Sequence, residues 1–107
     1  MRVIARRTLN AYADRHAGSR DYEALKNALN AWFAEVRVAR WKSSADIKRR
    51  YATASIVGAE RVVFNIKGND HRLIVAVDYE KSIVWIKWIG THAEYDHIDA
   101  REIEHAG

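Results

Sequence analysis

The stretch "RVVFNIKGNDHRLIVAVDY", residues 61 to 79, decides the fold. In its first part Val62, Phe64 and Ile66 alternate with Arg61, Val63, Asn65 and Lys67. A period of two predicts a strand with one apolar and one mostly polar face. "KGND" then reads as a turn, because glycine and asparagine accept backbone angles that other residues resist. "RLIVAVDY" is apolar on both faces, as expected of a central strand. The stretch is therefore a β-hairpin. Downstream, the chain turns again at "YEKS", and "IVWIKWIG" gives a third strand, also apolar on both faces. The result is a three-stranded meander.

Upstream the period changes. Tyr22, Leu25, Leu29, Trp32, Phe33 and Val36 form one stripe at helical spacing. Ser19 is placed to cap that helix, with Asp21 and Glu23 in its first turn. Leu9, Tyr12, Ala13 and His16 predict a preceding helix, which Gly18 stops. Two helices so close in sequence read as an antiparallel hairpin, its aromatic stripe turned to the core. "RVIA", residues 2 to 5, is β-branched and reads as an edge strand. Between hairpin and meander, Ser43 and Asp46 have the spacing of a capping box for a short helix carrying Lys48, Arg49 and Arg50. Trp41 packs this connector onto the rest. A final helix is expected from Thr91 to about Glu104. The fold class is α+β, in one domain over residues 1–107: a helical hairpin on a small antiparallel sheet, with an N-terminal edge strand and a C-terminal helix.

A chain of 107 residues buries roughly 60–70% of its extended surface, enough for one core. It has no cysteine, so neither a disulfide framework nor a thiolate metal site is available. "MRVIARR" lacks the apolar segment of a signal peptide, and the apolar runs fall short of the ~20 residues that span a bilayer. A cytoplasmic protein without a membrane partner is expected. Charge is unevenly spread: residues 37–72 hold nine Lys/Arg against three Asp/Glu, and residues 78–107 hold three against seven. The basic middle suits a polyanionic partner, or is a solvated face.

Two clusters bear chemistry. In "GTHAEYD", residues 90 to 96, Thr91 and Glu94 form T-x-x-E, a capping box. That pair needs no catalytic explanation. It leaves His92 and Tyr95, three apart and so on one face of the first turn, with Asp96 in reach of the imidazole. A neutral imidazole can act as a general base, and a tyrosine can position a substrate or donate a proton. Helix-start histidines also serve purely structural ends. In "FNIKGNDHRL", Lys67 and Arg72 flank the hairpin turn. Two cations there make a phosphate clamp, arginine offering a bidentate fork, or they are edge charges that keep a sheet soluble. His92, Asp96, His97 and Asp99 cluster in sequence, but H-E-x-x-H and cysteine are absent, so no metal or other cofactor is expected.

The hairpin sequence followed by "VWIKWIGTHAEYD" resembles the HigB family of toxins of type II toxin–antitoxin modules, within the RelE-like superfamily of messenger-RNA interferases. The resemblance rests on Phe64, Asn65, Gly68, Asn69 and Arg72, followed about 20 residues later by Thr91, His92, Glu94, Tyr95 and Asp96. It implies a RelE-like fold and a metal-independent endoribonuclease that cuts messenger RNA, often on the ribosome. The substrate 2′-hydroxyl attacks the adjacent phosphate, giving a 2′,3′-cyclic phosphate and a free 5′-hydroxyl. It further implies a helix-turn-helix antitoxin, HigA-like, that holds the toxin inactive and contacts operator DNA on its behalf. Such a reaction needs a base, cations for the phosphorane and a donor to the leaving oxygen. His92 is expected as base or acid, with Tyr95 assisting. Arg72 and Lys67 would stabilise the phosphorane. Arg61, Lys48, Arg49 and Arg50 would hold flanking phosphates. A non-catalytic module that blocks translation by occupying RNA or the ribosome would use the same basic middle. A plain DNA-binding protein fits less well, because the first helices turn their aromatic stripe inward.

Overall fold

A computed structural model describes residues 1–104. Among them the order is β1 (Arg2–Ile4), α1 (Arg6–Arg15), α2 (Tyr22–Val38), α3 (Ser44–Arg50), β2 (Ser55–Val57), β3 (Arg61–Ile66), β4 (His71–Asp78), β5 (Ile83–Thr91) and α4 (His92–Tyr95). The strands make one mixed sheet in the order β1-β5-β4-β3-β2. The meander β3-β4-β5 is antiparallel throughout, as its turns require. β1 pairs with β5 in parallel, Arg2 opposite Ile83, so the sheet is not purely antiparallel. β2, pairing Ser55 with Val63, was not expected, since three mixed residues carry no period.

The helical hairpin covers one face of the sheet. Leu25, Leu29, Trp32 and Val36 of α2 are buried against Phe64, Leu73, Val75 and Val84. Phe64 is the centre of this layer. Trp32 meets it edge-on at 5.5 Å, Trp41 stacks on it at 6.2 Å and Tyr51 meets it edge-on at 5.0 Å. Truncating such a residue to alanine costs about 3–5 kcal/mol. Trp41 thus packs the connector as the sequence suggests.

The opposite face departs from expectation. Val63 and Ile74 are buried there with Ala100, and Val57, Trp88, Tyr95, Ile98 and Ile103 pack around them. The outer face of β3 is therefore covered rather than open to solvent. The cover is the chain after α4, and the helix expected to reach Glu104 ends at Tyr95. Past Tyr95 the backbone bonds tighten to i→i−3, from the His97 amide to Glu94 and from the Ile98 amide to Tyr95, and Asp99 then organises the segment that follows. Its carboxylate accepts from the Arg101 amide at 2.9 Å, and its carbonyl accepts from the amides of Glu102 and Ile103. A bulge in β5 also serves this face: Ile74 pairs with Trp88 and Val75 with Ile86, leaving Lys87 as the extra residue.

Two caps differ from the sequence reading. α2 starts at Tyr22 with Asp21 at its cap position. Ser19 instead donates to the His16 carbonyl and to Asp21 Oδ1. At α3, Asp46 accepts from the Lys42 amide at 2.7 Å, one residue earlier than a Ser43 box would have it.

Candidate functional site

The site forms where the β3–β4 turn meets the start of α4. Lys67 and Gly68 both have positive φ, 53° and 63°. Glycine adopts this freely, whereas Lys67 does so at a cost of about 1 kcal/mol or more. Lys67 Nζ is bonded to Asp70 at 2.8 Å and lies 3.8 Å from Asp21. The Asp70 bond holds the lysine above its ordinary pKa and Asp70 below its own. Asp70 also accepts, through its carbonyl, from the His92 amide at 3.0 Å. The turn and the helix are thereby fastened together.

Arg72 stands at the second position of β4, opposite Asn65 on β3 and Gly90 on β5. Its guanidinium donates to the Asn69 carbonyl at 2.9 Å and to Asn69 Oδ1 at 2.8 Å. It also lies over the ring of Tyr95, 5.8 Å from the centroid. Five N–H donors let an arginine keep such contacts and still present others to an anion.

The capping box of α4 is complete. Thr91 Oγ1 accepts from the Glu94 amide at 3.1 Å, and Glu94 Oε1 accepts from the Thr91 amide at 2.8 Å. This start presents His92, which is 46% exposed and lies with Nδ1 3.4 Å from an Asp96 carboxylate oxygen. Tyr95 is half-buried against Trp88, ring centroids 6.4 Å apart. Gly90 is what lets Trp88 lie there: a Cβ on it would run into the indole and come 3.1 Å from Glu94 Oε1. Three of the sequence-derived residues, Arg72, Tyr95 and His92, therefore share one corner, with Lys67 on the adjoining turn.

The family described as HigB_toxin, RelE-like toxic component of a toxin-antitoxin system, matches residues 25–98, more than half of the chain. The chain belongs to this HigB toxin family. No curated protein matches the chain. The matched segment of this HigB-family toxin contains the hairpin, the basic connector and the whole of α4. α1 lies outside it. An antitoxin is the partner that such a family implies, and the mixed α+β architecture is compatible with the RelE-like fold.

The cations expected to hold flanking phosphates are all engaged within the chain in this HigB-family fold. Lys48 donates to the carbonyls of Ala52 and Ala54, each at 2.7 Å, closing the end of α3. Arg49 pairs with Asp46 at 2.7 Å, and Arg50 pairs with Glu35. Arg61 is 7% exposed, at the end of β3 away from the turn, about 17 Å along the strand. It donates to the Ile103 carbonyl and to Glu104, both at 2.7 Å. Glu104 also accepts from Lys87 at 3.0 Å, and the Lys87 bond, more than Arg61, holds this carboxyl below its ordinary range. In this arrangement Arg61 anchors the terminal segment and presents no donor at the Arg72 corner. Among the described residues, no three His, Asp or Glu side chains converge as metal ligands would.

One residue escaped sequence reading. His71, beside Arg72 but facing the helices, is buried at 3% exposure. Its Nδ1 is 2.7 Å from the Tyr12 hydroxyl, and its Nε2 is 3.4 Å from Asp21 Oδ2. His16 stacks edge-on against it at 5.6 Å. Asp21 sits below the ordinary carboxylate range, owing first to Ser19 and then to His71. Burial, followed by the Glu94 carboxylate, pushes the Tyr12 hydroxyl up to about 12. The chain Tyr12–His71–Asp21–Lys67 thus ties α1 and α2 to the turn that carries the site. The one sequence signal was that a histidine began an otherwise apolar strand.

Proposed function

We propose that this toxin is an endoribonuclease that cleaves messenger RNA, in association with the ribosome, and so stops translation in the cytoplasm. The observation that carries the reading is the Arg72 guanidinium over the Tyr95 ring, beside an accessible His92. That corner combines a fixed cation with two side chains able to move protons. His92 takes the 2′-hydroxyl proton or supplies one to the leaving 5′-oxygen, with Tyr95 positioning or sharing the transfer. Arg72 stabilises the charge that grows on the phosphorane, and Lys67 adds to it once a phosphate competes with Asp70. These steps use the chain's own side chains. A HigA-like helix-turn-helix antitoxin holds the toxin inactive and makes the contact with operator DNA.

The test is cleavage of translated messenger RNA, mapped by primer extension, for wild type, His92→Ala, Tyr95→Phe and Arg72→Ala. New 5′ ends with wild type that vanish in the variants are expected. Intact transcripts under full growth arrest would instead mean block by occupancy.

A further inference from the structure

At the far end of the sheet from the Arg72 corner, the surface forms an open cavity of about 450 Å³. It lies where α2 ends and the connector begins. Arg37, Arg40 and Lys42 line it, together with Met1, the buried Trp41 and Ser82, the residue before β5. All three cations are exposed. Among the described residues, no carboxylate lies within ion-pair distance of any of them. This differs from Lys48, Arg49, Arg50 and Arg61, each of which is engaged by a carboxylate or by backbone carbonyls.

Nor are these cations needed to cap α2. The Met1 ammonium does that, donating to the carbonyls of Val36 at 3.1 Å, Arg37 at 3.3 Å and Ala39 at 2.6 Å. The nearby carboxylate, Asp46, is taken by the Lys42 amide and Arg49. Three like charges around one concavity repel one another and raise the local potential, which an entering polyanion relieves. Two guanidinium forks and one ammonium match phosphate oxygens.

We propose that this cavity is a second binding site, taking phosphates of an RNA backbone apart from the phosphate at Arg72. The assignment of RNA rests on the function proposed above. β5 separates the two places: Ser82 precedes its first residue and His92 follows its last, about 30 Å along the strand. The distal site holds RNA without reading its sequence, because cations on phosphates position rather than specify.

The experiment measures binding of a labelled single-stranded RNA, long enough to reach both ends of the sheet, across a salt series. It compares wild type, the triple variant Arg37→Gln/Arg40→Gln/Lys42→Gln and the charge-keeping variant Arg37→Lys/Arg40→Lys/Lys42→Arg. Three lost phosphate contacts flatten the slope of log affinity against log salt by about 2. The charge-keeping variant retains the wild-type slope, and thermal unfolding shows that all three are folded. Cleavage of a short RNA that reaches only the Arg72 corner stays at the wild-type rate in the triple variant. An unchanged slope in the folded triple variant overturns the site, and does so whether or not the wild type cleaves RNA. A flattened slope with no cleavage by wild type upholds the site and rejects the catalytic reading. Loss of antitoxin binding with an unchanged RNA slope also overturns it, in favour of an acidic protein segment.

Discussion

The Arg72 guanidinium lies 5.8 Å from the centre of the Tyr95 ring, although the two residues belong to different elements. Asn69 fixes the arginine from the turn, and Trp88 fixes the tyrosine from the sheet. A charge held this way needs little rearrangement when negative charge develops beside it.

Arg72→Ala is expected to lower cleavage by about 100-fold or more, the usual effect of removing one preorganised charge donor. Arg72→Lys keeps the charge but loses the planar fork and the ring contact, and recovers only part of the rate. Single-turnover cleavage of a defined RNA measures both, and a wild-type rate in Arg72→Ala removes this residue from the site.

His92→Ala is expected to cost about 10²–10⁴-fold in rate, the range of general acid–base catalysis. The protein should stay folded, since the side chain is half-exposed and bonds only at the surface. Imidazole added to the His92→Ala protein should restore part of the activity if the role is proton transfer.

Gly90→Ala tests the packing beneath the corner. The new methyl meets Trp88, which is itself wedged against Tyr95. Overpacking of this kind costs about 1–3 kcal/mol, read from urea unfolding. Cleavage should fall beyond what lost stability explains, because displacing Trp88 moves Tyr95.

Arg61→Gln separates an anchor from an RNA contact. Arg61 and Glu104 are 43 residues apart and join β3 to the terminal segment. Losing these bonds should lower stability by about 1–3 kcal/mol. The salt dependence of RNA binding should not change, whereas a drop in its slope would return Arg61 to the RNA-binding set.

Stability should fall at both ends of the pH scale. Burial, and then Glu94, raise the Tyr12 hydroxyl from near 10 to about 12 in the folded chain. The folded state therefore favours the protonated phenol. That preference is fully present below pH 10 and is lost as pH rises from 10 towards 12, by about 3 kcal/mol. Tyr51 and Tyr79 are raised in the same direction, chiefly by burial. Asp21, Asp46, Asp70 and Glu104 are lowered by hydrogen bonds from Ser19, Lys42, Lys67 and Lys87 respectively. Their contribution is present above the ordinary carboxylate range and is lost as pH falls through and below it. Urea midpoints from pH 3 to 12 map both limbs, and Tyr12→Phe should show a shallower alkaline limb.

Local pattern by itself determined the strand–turn–strand of residues 61–79, the apolar stripe of α2 and the capping box that opens α4. Each depends on residues a few positions apart, where spacing alone decides which side chains share a face or reach an amide. The same spacing put His92 and Tyr95 on one turn and Lys67 and Arg72 beside another. Only the tertiary structure decided that these two turns meet, through the Asp70 carbonyl and the His92 amide. It decided as well that β1 runs parallel to β5, that β2 forms at all, and that residues after Tyr95 fold over the sheet instead of continuing a helix. Arg61 shows the physical reason. Its alternating position marked it as solvent-facing, and no local rule foretold that Ile98, Ala100 and Ile103 would cover that face and draw Glu104 to it. His71 makes the same point from the other side, where partners 50 and 59 residues away turned an ordinary strand position into a buried link between the helices and the site. Contacts at such separations are set by how the elements pack, which the period of a sequence does not encode.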